Sequence, residues 1–136
     1  MKLDTIEIPI AEEIDIIKAV FEAKDISRAA GFSKNSLWMV AIAVSELARN
    51  IFKYAGQGVI FIAPLNTPDR QGIEIRAEDN GPGIEDTEKA MQEHFSTGNT
   101  LGLGLSGVKR IMDEFTITSS PGNGTKITAR KWSKNA

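Results

Sequence analysis

A chain of 136 residues and 14.8 kDa can bury one real core, and 41% apolar with 25% charged residues is ordinary globular usage. With no cysteine and a single histidine, His94, disulfides, thiol nucleophiles, iron–sulfur clusters, zinc ribbons and HExxH sites are excluded, which suits a reducing cytoplasm. A formal charge of −2 gives no basic footprint for nucleic acid, MKLDTIEIPI has no signal-peptide core, and the longest apolar run is Leu37 to Val44, far below the ~20 residues of a membrane span. The expectation is one cytoplasmic domain over residues 1–136, with neither nucleic acid nor membrane as partner.

Leu3 to Ile8 alternates and reads as an edge strand. Pro9 then opens a helix, Ala11 to about Ala30, with Ile14, Ile17, Val20 and Phe21 on one stripe and Gly31 as its stop. Ser33 is placed to cap a second helix, which runs to Ala55 and is closed by Gly56. Val59 to Pro64 and Ile73 to Asp79 read as strands around the turn-rich segment Asn66 to Gly72.

A polar helix is expected from about Glu85 to Glu93, a loop from Ser96 to Thr100, and a further helix from about Gly104 to Met112. Phe115 to Ser119 and Thr125 to Trp132 form a last hairpin around Pro121 to Gly124. Hairpin-type links between strand pairs predict a largely antiparallel sheet with helices on one face, an α+β two-layer sandwich.

Between Leu37 and Ala48 the only polar residues are Ser45 and Glu46. A helix apolar almost all round is a buried helix. An unpaired carboxylate there costs several kcal/mol. Asn50 and Lys53 follow at four and seven residues, on the same helical face, with Arg49 beside it. Two readings stand: a buried acid neutralised by Arg49 or Lys53, or a general base beside an amide oxygen in one cavity.

Asp79 is the second anomaly. Positions 73, 75 and 77 are apolar and the even ones charged, so parity turns Asp79 inward at the strand end. Asp-Asn-Gly is also ordinary turn chemistry, and a turn former satisfies the same letters.

Eight of the twelve glycines lie between positions 81 and 124, in segments free to wrap a ligand. Gly102-Leu-Gly104-Leu-Ser-Gly107 matches GxGxxG, but a loop precedes it and no strand-end acid follows at the required distance, which excludes the dinucleotide fingerprint. Val108 stands where a Walker loop needs lysine, and Phe95 follows the only histidine, which excludes the His-Arg-Asp kinase loop. What survives is physical: Gly102 and Gly104 enter a helix whose free N–H groups face an anion at close range.

Four segments in order resemble the nucleotide-binding module of the gyrase–Hsp90–histidine-kinase–MutL superfamily. Glu46 to Tyr54 is similar to its N box, Asp79 to Ile84 to its first glycine box, Thr100 to Leu105 to its second, and Gly122 to Thr125 to its last. At this length, and with His94 outside any phosphoacceptor helix, the chain resembles the stand-alone anti-sigma-factor-type serine/threonine kinases.

That resemblance implies a Bergerat-type ATP-binding fold that transfers phosphate from ATP to STAS-domain proteins, as scaffolds or antagonists, and then activates a PP2C-type phosphatase. It implies Glu46 as general base, Asn50 as Mg²⁺ ligand, and Asp79 as acceptor for the adenine amino group through a site shared with Gly81, Gly83 and Thr125. Gly102 and Gly104 would cradle phosphates, with Lys53 and Arg49 as nearby cations. Related kinases carry an arginine just before the second glycine box where this chain has Thr100, and Phe95 to Leu101 is expected to form a short lid. A regulatory module that holds nucleotide and sequesters partners without phosphotransfer is the alternative.

Overall fold

Period-two alternation in five segments becomes one antiparallel sheet in the computed structural model, which describes residues 4–83 and 104–133. Its strands are β1 (Ile6–Ile10), β2 (Gly58–Asn66), β3 (Gln71–Asp79), β4 (Glu114–Ser119) and β5 (Thr125–Trp132), in the spatial order β1-β2-β3-β5-β4. Helices α1 (Glu13–Ala29), α2 (Lys34–Asn50) and α3 (Gly104–Ile111) lie against one side. This is the expected two-layer α+β sandwich. The polar helix and lid expected between residues 85 and 101 lie outside the described residues.

The helix-facing side of the sheet supplies Ile60, Ile62, Ile73, Ile75 and Ala129, all fully buried against Val40, Val44 and Leu47 of α2. Each such large aliphatic side chain contributes roughly 1.5–3 kcal/mol relative to exposure. The outward side is sealed by its own charges. Glu74, Arg130 and Glu114 stand side by side across β3, β5 and β4, and Arg130 holds Glu74 at 2.8 Å. Arg76 lies 4.2 Å above the Phe61 ring, and Arg70 3.8 Å above that of Trp132.

Ser33 caps α2 as expected, its hydroxyl accepting from the Ser36 N–H at 3.2 Å. The end of that helix differs from expectation. After Asn50 the chain widens into a π-helical turn, Ile51–Ala55, closed by the Gly56 N–H on the Ile51 carbonyl at 3.0 Å. Gly56, at φ 83° and ψ −37°, then takes a positive-φ conformation suited to glycine, which stops it.

Three other expectations are corrected. Pro9 belongs to β1, paired with Val59 on an edge strand where its missing N–H costs nothing. Helix α1 starts later, with the Asp15 carboxylate accepting from the N–H groups of Ala11 and Glu12, both at 2.9 Å. These two bonds hold its pKa below the usual carboxylate value.

The second correction is the face that α1 buries. Ala19, Ala23 and Ser27 point inward, flanked by Ile16, Val20 and Ile26, because small residues let α1 approach α2 closely. Ile14, Ile17 and Phe21 are half or more exposed. The third is that α2 is not buried all round: Trp38, Met39 and Ile42 face outward with them. Among the described residues, no helix is long and apolar enough to cross a membrane.

Candidate functional site

Glu46 sits in the last third of α2 with 4% of its surface exposed. Among the described residues, neither Arg49 nor Lys53 forms an ion pair with its carboxylate. Arg49 is exposed, and the Lys53 ammonium lies 5.3 Å from the centre of the Tyr54 ring. Of the two readings of the sequence, the one in which Arg49 or Lys53 neutralises this acid is not met among the described residues. Asn50, one turn on and half-buried, is the last residue before the helix widens.

Beyond Asn50, the π turn carries Ile51 and Ala55 against the sheet. A side chain at Gly58 would come within 2.7 Å of Ile51 and 3.0 Å of the Asp79 Cβ. One at Gly81 would meet the Ala55 Cβ at 2.6 Å. Both positions must therefore be bare for the end of α2 to close on the end of β3. π turns recur at functional sites for this kind of local re-aiming.

Asp79 ends β3 on the same side as the buried Ile73, Ile75 and Ala77, as parity requires. Its Oδ1 accepts the Gly81 N–H at 2.9 Å, so the turn-forming reading holds for one carboxylate oxygen. For Oδ2 there is no hydrogen bond among the described residues. Thr125 stands opposite Asp79 across β3 and β5, and its hydroxyl lies 2.9 Å from that of Ser119.

Gly83 and Gly124, both at positive φ, lock this corner. A side chain on Gly83 would run into the Ser120 carbonyl, and one on Gly124 into the Asp79 carbonyl. The Gly122 N–H donates to the Pro82 carbonyl at 2.8 Å, tying the β4–β5 turn to the Asp79 loop. The first and last glycine segments thus form one interlocked corner around the acid.

Gly104 opens α3 at φ 71°, and no atom of the described residues lies within 4 Å of where its side chain would stand. Gly102 lies outside the described residues. A cleft of about 470 Å³ opens at the Asp79 end of the sheet, with Phe61, Glu78 and Lys126 among its walls. Gly58 and Ala55 line it as well, so it adjoins the corner where α2 closes on β3, while Glu46 and Asn50 do not line it.

Gly58 is a site residue that the sequence reading missed. Its only local signal is a glycine opening a strand two residues after the Gly56 helix stop, and its role depends on Ile51 and Asp79 meeting there. Among the described residues there is no group of three or more metal-binding His, Asp or Glu side chains. An amide oxygen with so few charged donors near it fits a hard cation that arrives on a phosphate chain and keeps its waters.

The chain that carries this acid, amide and strand-end aspartate matches a known family over most of its length. The Histidine kinase-like ATPase domain family matches residues 10–131, and the chain belongs to it. Its fold is shared with the mycobacterial sensor histidine kinase MprB at a TM-score of 0.56 and 17% identity, over 98% of this chain and 99% of that one. It is shared also with a chain of the SiaB–SiaC complex from Pseudomonas aeruginosa, at a TM-score of 0.60 and 14% identity, over 96% and 90%.

Within the family the chain falls among the anti-sigma-factor-type serine/threonine kinases. It is 46% identical to the serine/threonine-protein kinase RsbT of Bacillus subtilis, over 90% of this chain and 92% of that protein. It is 35% identical to the anti-sigma F factor of Caldanaerobacter subterraneus, over 68% of each.

Proposed function

We propose that this chain is a cytoplasmic, ATP- and Mg²⁺-dependent serine/threonine kinase of STAS-domain proteins, which by switching partners activates a PP2C-type phosphatase in bacterial stress signalling. The observation that carries it is Glu46, 4% exposed, without an ion pair among the described residues, and one helical turn before Asn50. A carboxylate with no cation holding its oxygens is one available to take a proton.

In this reading, Glu46 accepts the proton of the acceptor hydroxyl as its oxygen bonds to the γ-phosphorus. The bond from that phosphorus to the bridging oxygen breaks, and ADP leaves with the electron pair. Asp79 Oδ2 accepts from the adenine amino group, beside Thr125, Gly81 and Gly83. The N–H groups at Gly102 and Gly104 meet the phosphates, and Lys53 and Arg49 lie within the reach of flexible cations. Asn50 would hold Mg²⁺, which when bound neutralises charge on the phosphate chain. Phosphoryl transfer of this kind is governed by positioning and charge rather than by covalent chemistry of the protein.

A second reading has its own observation. Ile14, Ile17 and Phe21 of α1, with Trp38 and Ile42 of α2, leave large apolar side chains in water, as a protein-binding regulator does. Such a module would hold nucleotide and sequester partners without transfer.

Radiolabelled ATP with a STAS-domain protein separates the two. Glu46→Gln should keep ATP affinity within about twofold and lose phosphotransfer by about 100-fold or more. Unchanged transfer in Glu46→Gln rejects the base, and no transfer by the wild type at full ATP occupancy favours the sequestering module.

A further inference from the structure

Lys131 is a buried cation that the nucleotide reading does not use. It lies on the helix-facing side of β5, and its side chain is only 10% exposed. Its ammonium donates to the Ile111 carbonyl, the last residue of α3, at 2.7 Å. The Asp113 carboxylate stands 3.8 Å away. Asp113 is itself fixed to β5 twice, by its N–H on the Arg130 carbonyl at 2.9 Å and by its carboxylate accepting the Trp132 N–H at 2.8 Å. A positive charge on the last carbonyls of a helix satisfies orphan acceptors and opposes the negative end of its dipole.

The consequence lies at the other end of that helix. Eight residues make a rod about 12 Å long, stiff enough that fixing one end sets the other. Leu105 and Val108 seat it in the core, and the Lys131 bond to the Ile111 carbonyl adds a directional, charged tie from β5 to the end of its axis, beside those of Asp113. Strand β5 carries Thr125, opposite Asp79, six residues before Lys131, or about 20 Å along the strand. One rigid strand therefore measures the separation between the aspartate corner and α3.

We propose that Lys131 is a positioning residue for phosphate recognition. By gripping the Ile111 carbonyl from β5, it fixes how far the Gly104 end of α3 stands from Asp79 and so matches the pocket to the length of a nucleoside triphosphate. This rests on the nucleotide reading above, in which Asp79 takes the base and Gly104 the phosphates.

The test is calorimetric binding of ATP and of adenosine, the latter engaging the base corner alone. Lys131→Met should weaken ATP about tenfold and leave adenosine within about twofold. Lys131→Arg, which keeps charge and donor, should restore ATP to within about threefold of wild type. Lys131→Gln, shorter and neutral, reads the same split should Lys131→Met not fold. Equal losses for ATP and adenosine, or unchanged ATP affinity in the neutral variants, overturn the proposal. A wild-type chain that binds neither compound overturns the nucleotide reading itself.

Discussion

Asp79 and Thr125 occupy opposite positions on β3 and β5 and share the helix-facing side of the sheet, where Thr125 is steadied by the Ser119 hydroxyl at 2.9 Å. One Asp79 oxygen is committed to the Gly81 N–H, and this turn bond aims the other. An acceptor aimed in advance, with its neighbours locked by Gly83 and Gly124, discriminates between ligands at little reorganisation cost.

Asp79→Asn tests this pair. The amide keeps the size and can still accept from Gly81, but it presents a donor where an acceptor is needed. ATP and adenosine should both weaken by about 10- to 100-fold, since a mismatched buried polar pair costs that much. Inorganic triphosphate should bind as in the wild type. Titration calorimetry with the three compounds gives the answer, and equal loss of triphosphate binding would remove Asp79 from the base site.

Asn50 makes a separate, metal-linked prediction. In wild-type protein, chelating Mg²⁺ should lower ATP affinity about tenfold or more. In Asn50→Ala that difference should vanish, with the metal-free affinity close to that of wild type. A variant whose ATP affinity still responds to Mg²⁺ as strongly as wild type would show that Asn50 is no ligand.

The fold was legible where one local signal dominated. Parity through Ile73, Ile75 and Ala77 set the face of β3 and turned Asp79 inward. Ser33 and Gly56 marked the two ends of the helical segment between them. Helix α1 offered two stripes at helical spacing, Ile14–Ile17–Phe21 and Ala19–Ala23–Ser27. The larger residues are the natural choice for a core, yet close helix packing selected the smaller ones.

Similar logic separates the legible from the hidden parts of the site. Glu46 and Asn50 are one turn apart in any helix, so their shared face follows from spacing. The π turn and Gly58 are defined by segments far apart in the chain: Ile51 and Asp79 crowd Gly58, and Ala55 crowds Gly81. Nothing local in Ile51–Ala55 distinguishes it from ordinary α-helix.

The start of α1 carries a pH dependence whose sign is fixed by its hydrogen bonds. The Asp15 carboxylate accepts from the Ala11 and Glu12 N–H groups, with Lys18 at 3.6 Å adding a smaller effect, and its folded pKa lies below the unfolded value near 3.8. The unfolded chain therefore binds this proton more readily, and the stabilisation is fully present above that pH. It is lost as pH falls through the lower folded value. Asp15→Asn should melt a few degrees below wild type at neutral pH, and the gap should close as the solution is acidified below about pH 3.8. Thermal melts of both proteins across that range, followed by circular dichroism, check this; a gap that stays constant with pH would assign the effect of Asp15 to shape or helix propensity instead of its charge.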